Sequence, residues 1–416
     1  MTQDFLYIDP GTGSMLFSLL MALATTAVFV GRELFIKLKF IISGGRAKKA
    51  DSRRIPFVIY SDHKRYWNVF KPICDEAERR GLDITYYTQS PDDPVLSEPY
   101  KHIKAEFIGE GNKGFVRMNF LKADVVLATT PGLSVYQWKR SRYVKCYVHI
   151  LHSIDSPVRY HTFGLFDFDV LLLAGDHQEK YVRLCEKAQN TPRKELAITG
   201  LTYMDSILER KQALPPVHND VPLVLLAPTW GKSGLLSLYG GELIDSILST
   251  GSNVVIRPHP QSMTAEPKLI EDLKKKYEED GRVSWNFDND NTDILNRADI
   301  MVSDISGVVF DFAFVFDKPF LYTHADYDPL PYDASWIDEP LWSFSVLPEL
   351  GREITREDFP RLKEIIDEAM HSSVRAERRA QIRDEAWHFR GCSGKATLDY
   401  IVSKLKELHS TTPEDS

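Results

Sequence analysis

Residues 298–316, ADIMVSDISGVVFDFAFVF, contain the pattern that decides the fold of this chain. A short apolar run at 300–302 leads into five small or polar residues at 303–307, and a hydrophobic segment follows them. This order predicts a buried strand, a tight turn and a helix.

The turn carries groups that are suited to binding an anion. Asp304 and Ser306 are residue types that begin helices, and Gly307 lets a ligand approach the backbone closely. The first N–H groups of a helix are free and lie at the positive end of its dipole, so they attract anions. Asp311 follows one turn later among apolar residues, where its carboxylate needs a partner, and a ribose diol beside a bound pyrophosphate would be one. An ordinary helix cap followed by a structural aspartate is the alternative.

Length and composition limit the classes of protein to consider. A chain of 416 residues is long enough for two hydrophobic cores and an appendage. The formal net charge of −8 argues against a general nucleic-acid binder. The cysteines lack CxxC spacing, which predicts reduced core thiols in a cytosolic compartment, without a zinc site or disulfide framework. They are Cys74, Cys146, Cys185 and Cys392.

Residues 10–31 are uncharged and long enough to cross a bilayer as a helix. The only charged side chains before them, Asp4 and Asp9, are acidic, whereas Lys and Arg are frequent from Lys37 to Arg54. The positive-inside rule therefore places the rest of the chain in the cytoplasm. A cleaved signal peptide is the rival interpretation, but the segment before the apolar run has no positive charge. We therefore expect a single-pass anchor in the inner (cytoplasmic) membrane.

The first half after this segment alternates between strand and helix patterns. Predicted strands are residues 55–60, 83–88, 123–128, 145–151, 169–174 and 195–200, and predicted helices include 66–80 and 178–189. Such alternation predicts parallel α/β layers with functional groups at the carboxyl ends of the strands. His149 is expected in the core, whereas His152 lies where its strand opens into a loop and could accept a proton from a hydroxyl. The cations of residues 61–65 are either phosphate contacts or part of a solvated loop.

Polar loops follow the predicted strands of the second half too. The strand at 222–227 ends in Pro228-Thr229-Trp230, and the strand at 253–256 ends in Arg257-Pro258-His259-Pro260. The prolines stiffen the second loop, in which Arg257 offers a fork for phosphate and His259 a further donor. The nearby Gly231-Lys232-Ser233 string is not a P-loop, because that motif needs an earlier glycine.

The C-terminal part adds a further strand, a covering segment and helices. Residues 318–322 predict a strand, and the aromatic, acidic segment 326–342 is expected to cover the cleft. Residues 357–370 and 375–408 predict two long amphipathic helices, the second of which packs back over the first half.

Three motifs together resemble one known family. Ala227-Pro228-Thr229-Trp230, Arg257-Pro258-His259-Pro260, and Asp304-Ile305-Ser306-Gly307 with Asp311 are similar in order and spacing to the CDP-glycerol glycerophosphotransferases of teichoic-acid-type polymer synthesis. The first half resembles the family more loosely, since His152-Ser153 stands where the family has a His-Gly pair.

The resemblance implies a GT-B fold, in which two Rossmann-like domains face each other across a cleft. It implies that His259, Ser306 and Gly307 hold the donor pyrophosphate and that Asp311 takes the ribose hydroxyls. Arg257 adds charge beside them, Thr229 lies near the phosphates, and Asp304 belongs to the same donor-binding set. His152 activates the acceptor. Neither a metal nor another cofactor is implied, because cations and a helix dipole neutralise the leaving group.

The expected domains are an anchor with a basic segment at 1–48, an acceptor-side domain at 49–210, a donor domain at 211–410 and a disordered tail at 411–416. The expected enzyme transfers glycerol phosphate, or a related polyol phosphate, from a CDP-activated donor to a hydroxyl of a lipid-linked glycan in cell-envelope synthesis. Its expected partners are the donor, the acceptor and the membrane, and no nucleic acid. The alternatives are a GT-B sugar transferase or UDP-sugar epimerase, and a catalytically silent nucleotide-binding subunit of envelope assembly.

Overall fold

The computed structural model describes residues 21, 54–288, 290–324 and 326–410. The predicted membrane span at 10–31, apart from Met21, and the predicted tail at 411–416 lie outside these residues. Within the described part of the chain, no helix combines the length and the apolar character that a membrane crossing requires.

The first half contains a sheet of seven parallel strands in the order β3-β2-β1-β4-β5-β6-β7. The interior strand β1 pairs with β2 and β4, so that Tyr60 lies opposite Tyr87 and Ala128. Helices cover both faces, which is why β4 is buried along its whole length and is apolar apart from Asp124. The strands are β1 Ile55–Ser61, β2 Ile84–Thr88, β3 Ile103–Phe107, β4 Ala123–Ala128, β5 Val144–Ile150, β6 Val170–Leu173 and β7 Glu195–Ile198.

The second half contains a sheet of six parallel strands in the order β10-β9-β8-β11-β12-β13. Both sheets belong to one compact unit that begins at Ile55. The predicted α/β class with parallel sheets is thereby confirmed. The strands are β8 Leu223–Ala227, β9 Asn253–Ile256, β10 Val283–Trp285, β11 Ile300–Ser303, β12 Phe320–Tyr322 and β13 Arg352–Glu353.

Helices pack on both sheets. Those of the first half are α1 Trp67–Arg80, α2 Asn112–Asn119, α3 His177–Gln189 and α4 Thr202–Ala213. Those of the second half are α5 Leu235–Ser249, α6 Ser262–Ala265, α7 Pro267–Lys276, α8 Thr292–Arg297, α9 Val308–Phe310, α10 Trp342–Leu350, α11 Leu362–His371, α12 Ser373–Ala386 and α13 Ser393–Ser410. A π-helical turn, Asp311–Val315, continues α9.

The single helix predicted at 375–408 is wrong, because the structure divides it into α12 and α13. Phe389 and Gly391 both have positive φ between the two helices, and the Asp205 carboxylate accepts hydrogen bonds from the N–H groups of Gly391 (2.8 Å) and Ser393 (2.7 Å). These bonds fix the backbone where α13 starts as a separate helix, and α13 packs on α1. Gly394 faces the Pro72 carbonyl too closely for any side chain.

The prediction that residues 326–342 cover the cleft is also wrong. None of them lines the cleft described below. They pack instead on the outside of the first half, where the buried Asp333 carboxylate accepts hydrogen bonds from the Phe163 N–H (2.8 Å) and from Gln189 (2.6 Å). His161 stacks on Tyr332 at a ring distance of 5.2 Å.

The cysteines are free thiols in different environments. Cys74 and Cys146 lie in the core as predicted, and Cys185 is partly buried. Cys392 is exposed in the turn between α12 and α13, so the prediction of a core thiol is wrong there.

Candidate active site

A cleft of about 590 Å³ opens at the carboxyl ends of both parallel sheets. Loops that follow β5, β8, β9 and β11 form its walls, as expected for parallel α/β sheets. Its volume lies within the range of sites that hold a nucleotide-sized ligand. Six of the predicted site residues line it: His152, Arg257, His259, Ser306, Gly307 and Asp311.

The turn after β11 presents unpaired backbone donors to the cleft. Gly307 and Val308 line the cleft, and their N–H groups have no hydrogen-bond partner among the described residues. Gly307 has φ −58°, and the space around its Cα is open. The turn therefore has the free N–H groups that the sequence predicts for an anion-binding strand–turn–helix unit.

Asp304 lies behind this turn, outside the set of cleft-lining residues. Its buried carboxylate accepts hydrogen bonds from the Thr229 N–H (3.0 Å), the Thr229 hydroxyl (2.9 Å) and the Leu235 N–H (3.1 Å). Burial raises the pKa of this carboxyl group, and these hydrogen bonds oppose the rise. Asp304 and Thr229 thus tie two loops of the wall together and support it from behind, and their part in donor binding stays a prediction.

We expect Asp304→Ala to lower the free energy of unfolding by about 3 kcal/mol, because it leaves the buried Leu235 N–H and the part-buried N–H and hydroxyl of Thr229 without their acceptor. Urea unfolding of the purified chain measures this change. Asp220→Ala, which removes an exposed carboxylate, is the matched control and should change stability by less than about 0.5 kcal/mol. Equal effects of the two substitutions would contradict the supporting role.

Asp311 faces the cleft from the first position of the π-helical turn. It is only 8% exposed, and its Oδ2 accepts a hydrogen bond from the Tyr203 hydroxyl at 3.2 Å. Burial raises the pKa of Asp311 to about 7, while the Tyr203 bond and the charge of Arg210 oppose the rise. Single π-helical turns recur at functional sites, and this one holds a carboxylate with few partners at the cleft wall.

The raised pKa of Asp311 has a consequence for stability. An unfolded aspartate ionises near pH 4, so between about pH 4 and 7 the folded chain retains a proton that the unfolded chain has lost. The contribution of Asp311 to the free energy of unfolding is therefore fully present below pH 4 and is lost as the pH rises to about 7. We expect Asp311→Asn to be increasingly stabilised relative to the unchanged chain across this interval, as measured by urea unfolding at pH 4.5, 6 and 8. A difference between the two chains that does not vary with pH would contradict the assignment.

Arg257 and His259 follow β9 and line the opposite part of the donor wall. The Arg257 guanidinium already bonds the Asn286 side chain and donates to the Asp288 carbonyl at 2.8 Å, so its fork is held in place by the loop after β10. His259 Nδ1 accepts a hydrogen bond from the Gln261 N–H at 3.1 Å. Partial burial lowers the pKa of His259, so the neutral ring carries its proton on Nε2 as a donor.

The first half supplies the other wall through His152, Arg65 and Tyr66. His152 Nδ1 lies 2.9 Å from the Thr129 hydroxyl and 3.2 Å from the Tyr160 hydroxyl. Desolvation, followed by the positive charge of Arg65, lowers the pKa of His152 to about 4. His152 is therefore a neutral imidazole at physiological pH and is able to accept a proton.

The cations of the 61–65 loop take different positions, one in solvent and one at the cleft. Lys64 turns away and pairs with Asp92, whereas Arg65 lies at the cleft with its guanidinium 4.8 Å from the centre of the Tyr66 ring. Tyr203 and Asn291 also line the cleft, and no sequence motif indicated them. His149 lies fully buried in β5, as predicted.

In the part of the chain that the structure describes, no group of three or more His, Cys, Asp or Glu side chains has a metal-binding arrangement. The expectation that the enzyme needs neither a metal nor another cofactor stays a prediction.

Residues 169–338 match the model of the CDP-glycerol:poly(glycerophosphate) glycerophosphotransferase family. This segment belongs to that family. The resemblance predicted from the three motifs is thereby confirmed, and the chain is a transferase. The glycerophosphotransferase segment contains every predicted site residue except His152, whose role stays a prediction. A comparison with curated protein sequences gave no match.

Solved structures share the fold of the chain. A UDP-GlcNAc 2-epimerase from Neisseria meningitidis, bound to UDP-GlcNAc, has a TM-score of 0.54 and 13% identity, and the match covers 85% of this chain and 100% of that one. A UDP-GlcNAc 2-epimerase from Methanocaldococcus jannaschii has a TM-score of 0.51 and 12% identity, covering 84% and 100%. A glycosyltransferase from Rickettsia africae has a TM-score of 0.51 and 10% identity, covering 86% and 100%. At these identities the likeness concerns the fold, which is similar to that of GT-B glycosyltransferases and epimerases.

Proposed function

We propose that the chain is a membrane-anchored enzyme that transfers glycerol phosphate, or a related polyol phosphate, from a CDP-activated donor to a hydroxyl of a lipid-linked glycan. In this proposal the two sheets are the two Rossmann-like domains of a GT-B enzyme. The second half binds the donor and the first half binds the acceptor. The anchor in the inner membrane rests on the sequence of residues 10–31 and keeps the cytoplasmic enzyme close to a lipid-linked substrate.

The observation that carries the proposal is the pairing of two different chemistries across one cleft. The second half contributes the unpaired N–H groups of Gly307 and Val308 with the neutral donor His259, all of which suit a diphosphate. The first half contributes the neutral His152, which suits a hydroxyl that must lose its proton. A donor diphosphate and an acceptor alcohol would meet between them.

The proposed reaction is a displacement at the β-phosphorus of the donor. His152 accepts the proton of the acceptor hydroxyl, and the oxygen forms a bond to that phosphorus. The bond from the same phosphorus to the bridging oxygen breaks, and CMP leaves with the electron pair. The N–H groups of Gly307 and Val308 stabilise the charge that develops on the departing phosphate.

Donor binding tests the proposal directly. We expect calorimetry with the full chain to give at least about tenfold tighter binding for CDP-glycerol or CDP-ribitol than for UDP-GlcNAc, equivalent to about 1.4 kcal/mol. Tighter binding of UDP-GlcNAc would contradict it and would favour a sugar transferase or epimerase.

The proposed membrane anchor has its own test. A reporter fused to the C-terminus should be cytoplasmic, and a reporter on the other side of the membrane would refute the proposed orientation.

A further inference from the structure

We infer that Thr129 is a positioning residue that keeps the Nε2 atom of His152 free of a proton. The inference rests on the proposed function, in which His152 accepts the proton of the attacking hydroxyl. Thr129 follows β4 and is fully buried next to the end of β5, where it touches the ring of His152 from behind the cleft wall.

The hydrogen bonds of the Thr129 hydroxyl determine which nitrogen of the His152 ring carries the proton. The Thr129 hydroxyl donates its proton to the Ile150 carbonyl at 2.7 Å. A hydroxyl has one proton, so the same oxygen can only accept in its 2.9 Å contact with His152 Nδ1. Nδ1 therefore carries the ring proton, and in a neutral imidazole Nε2 then has the free lone pair.

The surroundings of the ring agree with this arrangement. Both hydroxyls next to the ring, those of Thr129 and Tyr160, contact Nδ1 and not Nε2. The Thr129 backbone also bonds the ring, and this bond opposes the lowering of the pKa of His152 by burial. Tyr66 packs against the ring at a centroid distance of 5.1 Å, and Arg65 is the charged group that acts on it from the cleft. Nε2 is thus the nitrogen that remains available to a substrate.

Tyr160 offers the one competing arrangement among these contacts. Its hydroxyl lies 3.2 Å from His152 Nδ1 and 3.4 Å from His149 Nε2. If Tyr160 donated to Nδ1, the lone pairs of Nδ1 and the Thr129 oxygen would face each other at 2.9 Å. Donation from Tyr160 to His149 avoids this repulsion and preserves both of the shorter bonds made by Thr129.

The test compares Thr129→Val, which removes the hydroxyl at nearly constant volume, with Thr129→Ser, which keeps it. Nitrogen NMR of the full chain with ¹⁵N-labelled histidine reads the protonated nitrogen of His152, and His152→Gln assigns the signal. We expect the unchanged chain and Thr129→Ser to carry the proton on Nδ1, and Thr129→Val to lose this preference. Thr129→Val should also reduce turnover by about 10- to 100-fold with the donor KM unchanged, whereas Thr129→Ser should restore it.

The pH profile adds a readout that a purely structural role would not move. Thr129→Val removes a hydrogen-bond acceptor from the protonated imidazole and so lowers the pKa of His152. The acidic limb of the kcat profile should therefore shift to lower pH in this variant. A proton on Nε2 in the unchanged chain, or the same tautomer and turnover in Thr129→Val, would overturn the inference. The NMR measurement needs no substrate, so a chain that releases no nucleotide would refute the proposed function while the tautomer still decides the role of Thr129.

Discussion

His152→Ala should lower the turnover number by about 10²- to 10⁴-fold, the usual range for loss of a general base. The affinity for the donor should stay unchanged, because the donor-binding groups lie on the second half of the chain. His152 is neutral at physiological pH and lies at the cleft wall opposite Gly307 and His259, so the expected defect is in chemistry. Steady-state kinetics of nucleotide release, together with calorimetry of the donor, separate the two effects.

A matched control is available for this experiment. His218→Ala removes an exposed histidine that does not line the cleft, and it should retain full turnover. His152→Ala with the turnover of the unchanged chain would eliminate His152 as the base. Equal losses in turnover and donor affinity would point to a role in folding instead.

Gly307→Leu should weaken donor binding by at least about 100-fold, or about 2.7 kcal/mol, without lowering the stability of the fold. The backbone of Gly307 has φ −58°, which any residue adopts, and no atom lies near the position of an added Cβ. The new side chain would therefore be accommodated by the fold but would occupy the cleft where the free N–H groups of Gly307 and Val308 are proposed to meet the phosphates.

Gly281→Leu provides the comparison. Gly281 also has open space around its Cα, but it lies in an exposed turn outside the cleft. We expect both variants to unfold at similar urea concentrations and only Gly307→Leu to lose donor binding in calorimetry. Donor affinity that is unchanged in Gly307→Leu would refute the proposed phosphate site.

The central strands of both sheets could be predicted from the sequence because they are buried on both faces. β4 was predicted with its observed bounds, and β1, β8 and β9 to within one residue at either end. The strands that were missed, β3, β10 and β13, are all sheet edges. β3 has the sequence IKAEF and is largely exposed, so it contains no apolar run that could have indicated it.

Tertiary contacts explain why the predictions for residues 375–408 and 326–342 were wrong. The break between α12 and α13 depends on the distant Asp205 carboxylate, which no local pattern reveals. The position of residues 326–342 depends similarly on Asp333, which bonds Phe163 and Gln189.

The cleft residues were predictable where they follow a strand, as His152, Arg257 and Ser306 do. Sequence alone could not distinguish groups that line the cleft from those that support it. Asp304 and Ser306 lie two residues apart in the same turn, yet Asp304 points to Thr229 and Leu235 while Ser306 lines the cleft. Tyr203 reaches the cleft from α4, far from any motif, because α4 packs against the π-helical turn that contains Asp311.

The identity of the released nucleotide distinguishes the proposed glycerophosphotransferase from a sugar transferase or an epimerase. The full chain in membranes would be incubated with CDP-glycerol and lipid-linked acceptors, and with UDP-sugars in parallel, and the nucleotide products would be separated by chromatography. We predict one CMP for each glycerol phosphate transferred, and loss of this release in both His152→Ala and Gly307→Leu. Release of CDP, or of UDP from a UDP-sugar, without any CMP would contradict this prediction.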